Sequence, residues 1–145
     1  MRTEFIVYGE PRGKGRPRFS NRGGFVKAYT PGKTVLYENL VRTEYVRQCE
    51  GTFFKEGVPL GMLLTVYLPI PKSASKKKRE QMIAKKILPL KKPDSSNVLK
   101  TVEDGLNKVA YYDDTQFCDT RVIRYYGEEP RVEVAIWEIE NEDPC

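Results

Sequence analysis

The chain has 145 residues, 39% of them hydrophobic and 31% charged, with a formal net charge of +5. That is enough chain for one domain with its own core, and no apolar run reaches the roughly 18 residues a membrane helix needs. There is no histidine, which excludes Ser-His and Cys-His nucleophile schemes and histidine-ligated metals and leaves carboxylates as the candidate acids, bases or ligands.

The opening stretch MRTEFIVYGE carries Glu4 and Glu10 and no long apolar segment, so it does not read as a signal peptide. Within it TEFIVYG, rich in β-formers and closed by Gly9, predicts a strand. Residues 10–31 are a Gly-, Pro- and Arg-rich loop in which RPRFS and FVKAY, separated by NRGG, fit a basic hairpin turning at Gly23 and Gly24. A helix is expected from near Thr30 to Gly51, with Thr30 as cap, Pro31 in its first turn and an apolar stripe of Leu36, Leu40, Val41 and Tyr45. LGMLLTVYLPI, from Leu60 to Ile70, is apolar without interruption, as expected of a central strand. SASKKKREQMIAKK predicts a short exposed helix capped by Ser73 or Ser75, followed by the extended ILPLKKP. DSSNVLKTVEDGLNKV predicts a further helix and YYDDTQ a loop. FCDTRVIRYY and RVEVAIWEI then predict two strands joined by a tight turn between Gly127 and Pro130. This order implies an α+β fold: a small mixed or antiparallel sheet with helices packed on one side.

Charge is unevenly distributed. Residues 12–33 hold seven Lys or Arg and no acid, and residues 72–92 hold nine against Glu80 alone. Residues 127–145 hold seven acids and Arg131 as the single basic residue. Such a polarised chain attracts a polyanion. Cys49, Cys118 and Cys145 are odd in number and widely spaced, fitting free thiols in a reducing cytoplasm.

On a helical wheel started at Ser96, Lys100, Glu103, Asp104 and Asn107 share one side, and Val98, Leu99, Val102, Leu106 and Val109 the other. Asp94 stands at the helix start, and Asp113 and Asp114 follow its end. Two explanations fit. In the structural one, Asp94 is an N-cap, Lys100 and Asp104 form an i,i+4 pair, and an Asp-Asp loop needs no further role. In the functional one, a carboxylate cluster binds Mg²⁺, which wants one or two carboxylates and keeps waters for a substrate phosphate. Lys100 would then stabilise developing charge or orient the attacking water. An antiparallel return of the chain would be needed to bring Asp113 and Asp114 back toward Asp94.

The segments KPDSSNVLKTVEDGL, YYDDTQ and YYGEEPRVEV, together with GEPRGKGRPRF, YTPGKT and LPIPKSASKKKREQM, resemble the RusA family of Holliday-junction resolvases. The likeness runs in order along nearly the whole chain, and its most specific parts are KPD-x-x-N-x-x-K and the DD-x-Q after it. The resemblance implies a single nuclease domain over residues 1–145, acting as a homodimeric, Mg²⁺-dependent endonuclease in which Mn²⁺ can substitute. Its implied partner is branched DNA in recombination and repair, a four-way junction resolved by paired symmetric nicks in the cytoplasm. By position, the catalytic residues would be Asp94, Lys100 and Asp114 with Asp113 beside it, and Asp94, Asp113 and Asp114 would hold the metal.

The family pattern Asp-x-Asp-Asn reads Asp94-Ser95-Ser96-Asn97 in this chain. Ser96 replaces a charged ligand by a neutral hydroxyl, which weakens metal binding and slows or abolishes cleavage while DNA binding survives. A catalytically impaired junction-binding protein is therefore the alternative function. Glu103 and Asp104 share the face of Ser96 but lie about 10–12 Å along the axis, too far to replace its ligand directly. Phosphate contacts are expected from Arg16 and Arg18 in the first basic segment and from Lys76, Lys77, Lys78 and Arg79 in the second.

Overall fold

The computed structural model describes residues 1–14, 18–20, 27–29 and 32–140, with 18–20 and 27–29 described by their backbone. In chain order the elements are β1 (Arg2–Tyr8), β2 (Arg18–Ser20), β3 (Lys27–Tyr29), α1 (Gly32–Cys49), β4 (Leu60–Pro69), α2 (Lys76–Ile83), α3 (Ser95–Leu106), β5 (Phe117–Gly127) and β6 (Arg131–Glu138), with a 3-10 turn at Asp114–Gln116 before β5. The result is the α+β architecture expected from the pattern.

Four strands make one mixed sheet in the order β1-β6-β4-β5. β4 runs parallel to β5 and antiparallel to β6, and β1 runs antiparallel to β6. The tight turn after Gly127 therefore does not join paired neighbours. It passes over the end of β4, which lies between the two strands it connects. An uninterrupted apolar strand needs partners on both edges, and Leu60, Met62, Leu64, Val66 and Leu68 of β4 are fully buried in the core. β2 and β3 pair antiparallel as a separate two-stranded sheet, Phe19 opposite Ala28. Gly23, Gly24, Thr30 and Pro31 lie outside the described residues.

The helices contribute to one core with the sheet: Tyr37, Val41 and Tyr45 from α1, Met82 from α2, and Val98, Val102 and Leu106 from α3. The buried stripe of α1 is Thr34, Tyr37, Val41 and Tyr45. Leu36, expected in that stripe, is 70% exposed and Leu40 is 39% exposed. Both sit one residue before a buried position, about 100° round the helix, which turns them toward solvent. Ser75, of the two candidate serines, caps α2 by accepting from the Lys78 N–H at 3.2 Å.

α1 and α3 cross closely at Gly105. A Cβ there would meet the Glu38 carbonyl oxygen at 2.9 Å and the Val41 Cβ at 3.2 Å. The glycine that weakens the helix propensity of α3 is what lets the two backbones approach. Arg42 reinforces the crossing, its Nε donating to the Gly105 carbonyl at 3.1 Å.

Candidate active site

Asp94 is the N-cap of α3. Its Oδ1 accepts from the Asn97 N–H at 3.1 Å, which satisfies a helix donor that would otherwise lack a partner. The approach to the cap is held by Arg124 of β5, whose Nη1 donates to the carbonyls of Lys91 at 2.8 Å and Pro93 at 3.1 Å. At the other end of α3, buried Tyr111 reverses the chain. Its hydroxyl donates to the Glu103 carbonyl at 2.6 Å, and its ring meets Phe117 edge-on at 4.8 Å between centroids.

The reversed chain brings Asp114 to the polar face of α3. Lys100 Nζ lies 3.3 Å from Asp104 Oδ1 and 3.8 Å from Asp114 Oδ2. The charge of Asp104 first, then its hydrogen bond, raises the Lys100 pKa. Asp114 and Glu103 add to the effect and desolvation opposes it. Gln116 gives the last letter of the DD-x-Q motif a structural reason. Its Oε1 accepts from the N–H groups of Tyr112 and Asp113 at 3.0 Å each, and its Nε2 donates to the carbonyls of Lys55 at 2.7 Å and Val58 at 3.1 Å. The acidic turn is thereby clipped to the loop before β4. Asp113 turns to its own loop, where its Oδ2 accepts from Thr115 Oγ1 at 2.6 Å, a bond that lowers its pKa.

Glu103 also joins the site. Its separation from Ser96 along the helix axis argues against a role there, but Asp114 comes back to it and the two carboxyl groups are hydrogen-bonded. Burial, then that bond and the charge of Asp114, push the Glu103 pKa up to about 7, against the pull of Lys100. The fold therefore keeps this proton up to about pH 7, whereas a free glutamate releases it near 4.5. The folded chain binds more protons than the unfolded one across that window, so this group makes stability fall as pH rises through it. Glu103→Gln is expected to be more stable than the parent by about 1 kcal/mol at pH 8, after screening at a half-buried site, and to match it at pH 4. Denaturant midpoints of both proteins in metal-free buffer check this, and identical midpoints at pH 8 would refute it.

Sequence spacing carries no sign of Lys14 and Glu38. Lys14 Nζ reaches Glu38 Oε1 on α1 at 2.6 Å and Asp104 Oδ2 at 2.9 Å. Two ammonium groups, Lys14 and Lys100, thus face the carboxyl groups of Glu38, Glu103, Asp104 and Asp114. Among the described residues no three acids gather as a metal-binding group. The hydrogen-bonded pair of Glu103 and Asp114 does suit a hard divalent cation, which takes one or two carboxylates, completes its shell with water, and can replace a shared proton.

Of the candidate phosphate contacts, Lys76, Lys77, Lys78 and Arg79 are exposed along α2. Arg79 lies 3.8 Å from Glu128, and no ion pair engages Lys76, Lys77 or Lys78 among the described residues. Arg16 and the side chain of Arg18 lie outside the described residues. No helix among the described residues is long and apolar enough to cross a membrane.

Comparison with known proteins shows the family of the chain. The sequence profile of the family described as Endodeoxyribonuclease RusA matches residues 8–137. A Bacillus subtilis (strain 168) protein named "Uncharacterized protein YqaN" is 41% identical over 138 residues, covering 94% of this chain and 96% of that protein. The family match takes in α3 with Lys100, the acidic turn with Asp114 and nearly all of β6, and the chain belongs to the RusA endodeoxyribonuclease family.

Proposed function

We propose that this chain is a structure-selective endonuclease whose one domain, residues 1–145, resolves four-way DNA junctions by paired, symmetric nicks. The observation that carries the reading is the Lys100 ammonium standing between Asp104 and Asp114, in a chain of the RusA family. Mg²⁺, or Mn²⁺ in its place, would be held by Asp114 with Glu103 at its side, and by Asp94 and Asp113 as the family resemblance implies. When bound, the ion supplies an activated water and neutralises phosphate charge. Lys100 places a fixed positive charge where the scissile phosphate gains negative charge, and Asp104 keeps that charge in register. Homodimerisation suits two nicks in a two-fold junction; a monomer by sedimentation at assay concentration would remove this part of the proposal.

A second reading, junction binding with impaired cleavage, is favoured by Ser96 and by the engagement of Asp94 as a helix cap. A synthetic four-way junction incubated with Mg²⁺ or Mn²⁺ separates the two. Nicks at symmetric positions support the nuclease. Binding without nicks, with cleavage appearing in Ser96→Asp, supports the impaired form. Neither binding nor cleavage at modest salt defeats both.

The exposed lysines of α2 are the proposed phosphate contacts. The Lys77→Glu, Lys78→Glu double variant is expected to weaken junction binding and to reduce the log–log salt slope by about one unit for each phosphate that is no longer neutralised. Titrations at several salt concentrations measure the slope, and an unchanged value takes α2 out of the interface.

A further inference from the structure

The basic segment after β1 is tied to the site at its root. Gly13 lies so close to the start of α3 that a Cβ there would meet the Cβ of Pro93 at 2.9 Å and of Asn97 at 3.1 Å. The next residue, Lys14, donates its backbone N–H to the Asn97 carbonyl at 3.1 Å. With its backbone fixed in this way, the side chain runs along α3 to Glu38 and Asp104, where it is 26% exposed. Asp104 is shared between two lysines: Oδ2 lies 2.9 Å from Lys14 and Oδ1 lies 3.3 Å from Lys100.

We propose that Lys14 is a positioning residue: acting through Asp104, it sets the place of the Lys100 ammonium beside Asp114. A carboxylate bonded through one oxygen only can rotate, and one held through both cannot, so the Lys14 contact fixes the direction in which Oδ1 faces Lys100. Lys14 also separates Glu38 from Asp104, whose like charges would otherwise push Asp104 away. Burial alone would lower the Lys14 pKa, but the hydrogen bonds to Asp104 and Glu38 outweigh it and raise it. A lysine so engaged is not a free phosphate contact, although it stands in a basic segment. This inference rests on the nuclease reading.

The test compares Lys14→Met, Lys14→Arg, Asp104→Asn and the Lys14→Met, Asp104→Asn double variant in single-turnover cleavage at saturating junction, together with the salt slope of binding. Lys14→Met is expected to lower the cleavage rate about tenfold with the salt slope unchanged. Lys14→Arg, whose fork can also bridge two carboxylates, should recover most of the rate. In the Asp104→Asn background Lys14→Met should cost nothing further. Losses that multiply in the double variant overturn the proposal. So does an unchanged rate with a slope reduced by about one, the mark of a phosphate contact. If Lys14→Met does not fold, Asp104→Asn breaks the same relay from its other end, and an undiminished rate in that variant is equally fatal. If the parent protein cuts no junction, the nuclease reading fails and the positioning claim is decided by the ¹⁵N resonance of the Lys100 ammonium. That signal should shift in Lys14→Met and in Asp104→Asn, and should move no further in the double variant. A resonance unmoved by Lys14→Met overturns the proposal.

Discussion

Replacing Lys100 with methionine is expected to lower the rate of junction cleavage by about 100-fold or more while changing junction affinity by less than about threefold. Asp114→Asn should cost at least as much, because it removes both the partner of Lys100 and an acid proposed to hold the ion. The reason is geometric. Lys100 Nζ is 3.3 Å from Asp104 and 3.8 Å from Asp114, so its charge is held at one point before substrate arrives, without reorganisation as the reaction proceeds. Affinity should survive because the proposed phosphate contacts lie on α2 and in the segment after β1, and removing one charge from the site changes only one interaction among many. Single-turnover cleavage and equilibrium binding of the same junction separate the two effects. A Lys100→Met protein that cleaves at the parent rate would show that this network is a structural ion pair.

Gly105→Val is expected to destabilise the protein by about 3 kcal/mol. The substituted side chain would meet the Glu38 carbonyl and the Val41 side chain, and the nearer of these is backbone, which cannot rotate away. Gly105→Ala should cost less, because the helix propensity gained by losing a mid-helix glycine, about 1 kcal/mol, offsets part of the clash. The same variants test how the crossing serves the site. Asp104 precedes Gly105 and reaches Lys14 and, through it, Glu38 on α1. Forcing the helices apart should therefore slow cleavage beyond the loss of stability, even at temperatures where the variant is fully folded. Chemical denaturation gives the first quantity and cleavage at low temperature the second. A Gly105→Val protein as stable as the parent would mean that α1 and α3 do not cross as described.

The chain's pattern is enough to place β1, β4, α2 and α3, because each follows from local rules: a run of β-formers closed by glycine, an uninterrupted apolar run, a serine or aspartate cap, an amphipathic face. Asp94, Lys100 and Asp114 are legible for a different reason. Their spacing matches a family motif, and the resemblance implies that they act together without saying which of them meet; the fold brings Lys100 to Asp114. The sequence also carries the charge division between its basic segments and its acidic end, which follows from the order of its residues alone.

Only the tertiary structure decided the rest. Whether β5 pairs with β6 or with β4 depends on which strand the core places at the centre, and a turn between two strands does not specify that. Leu36 and Leu40 face solvent because the docking angle of α1, set by Tyr37, Val41 and Tyr45 against the sheet and α3, selects one stripe among neighbouring apolar positions. Axial distance from Ser96 tells against Glu103, but that measure is confined to one helix. The reversal at Tyr111 carries Asp114 to Glu103, so the relevant distance runs through space between two segments. The partnership of Lys14 and Glu38 with Asp104 has no sequence signal because it exists only where a loop, α1 and α3 converge. Local chemistry determines which groups can be charged, capped or buried; long-range packing determines which of them become neighbours.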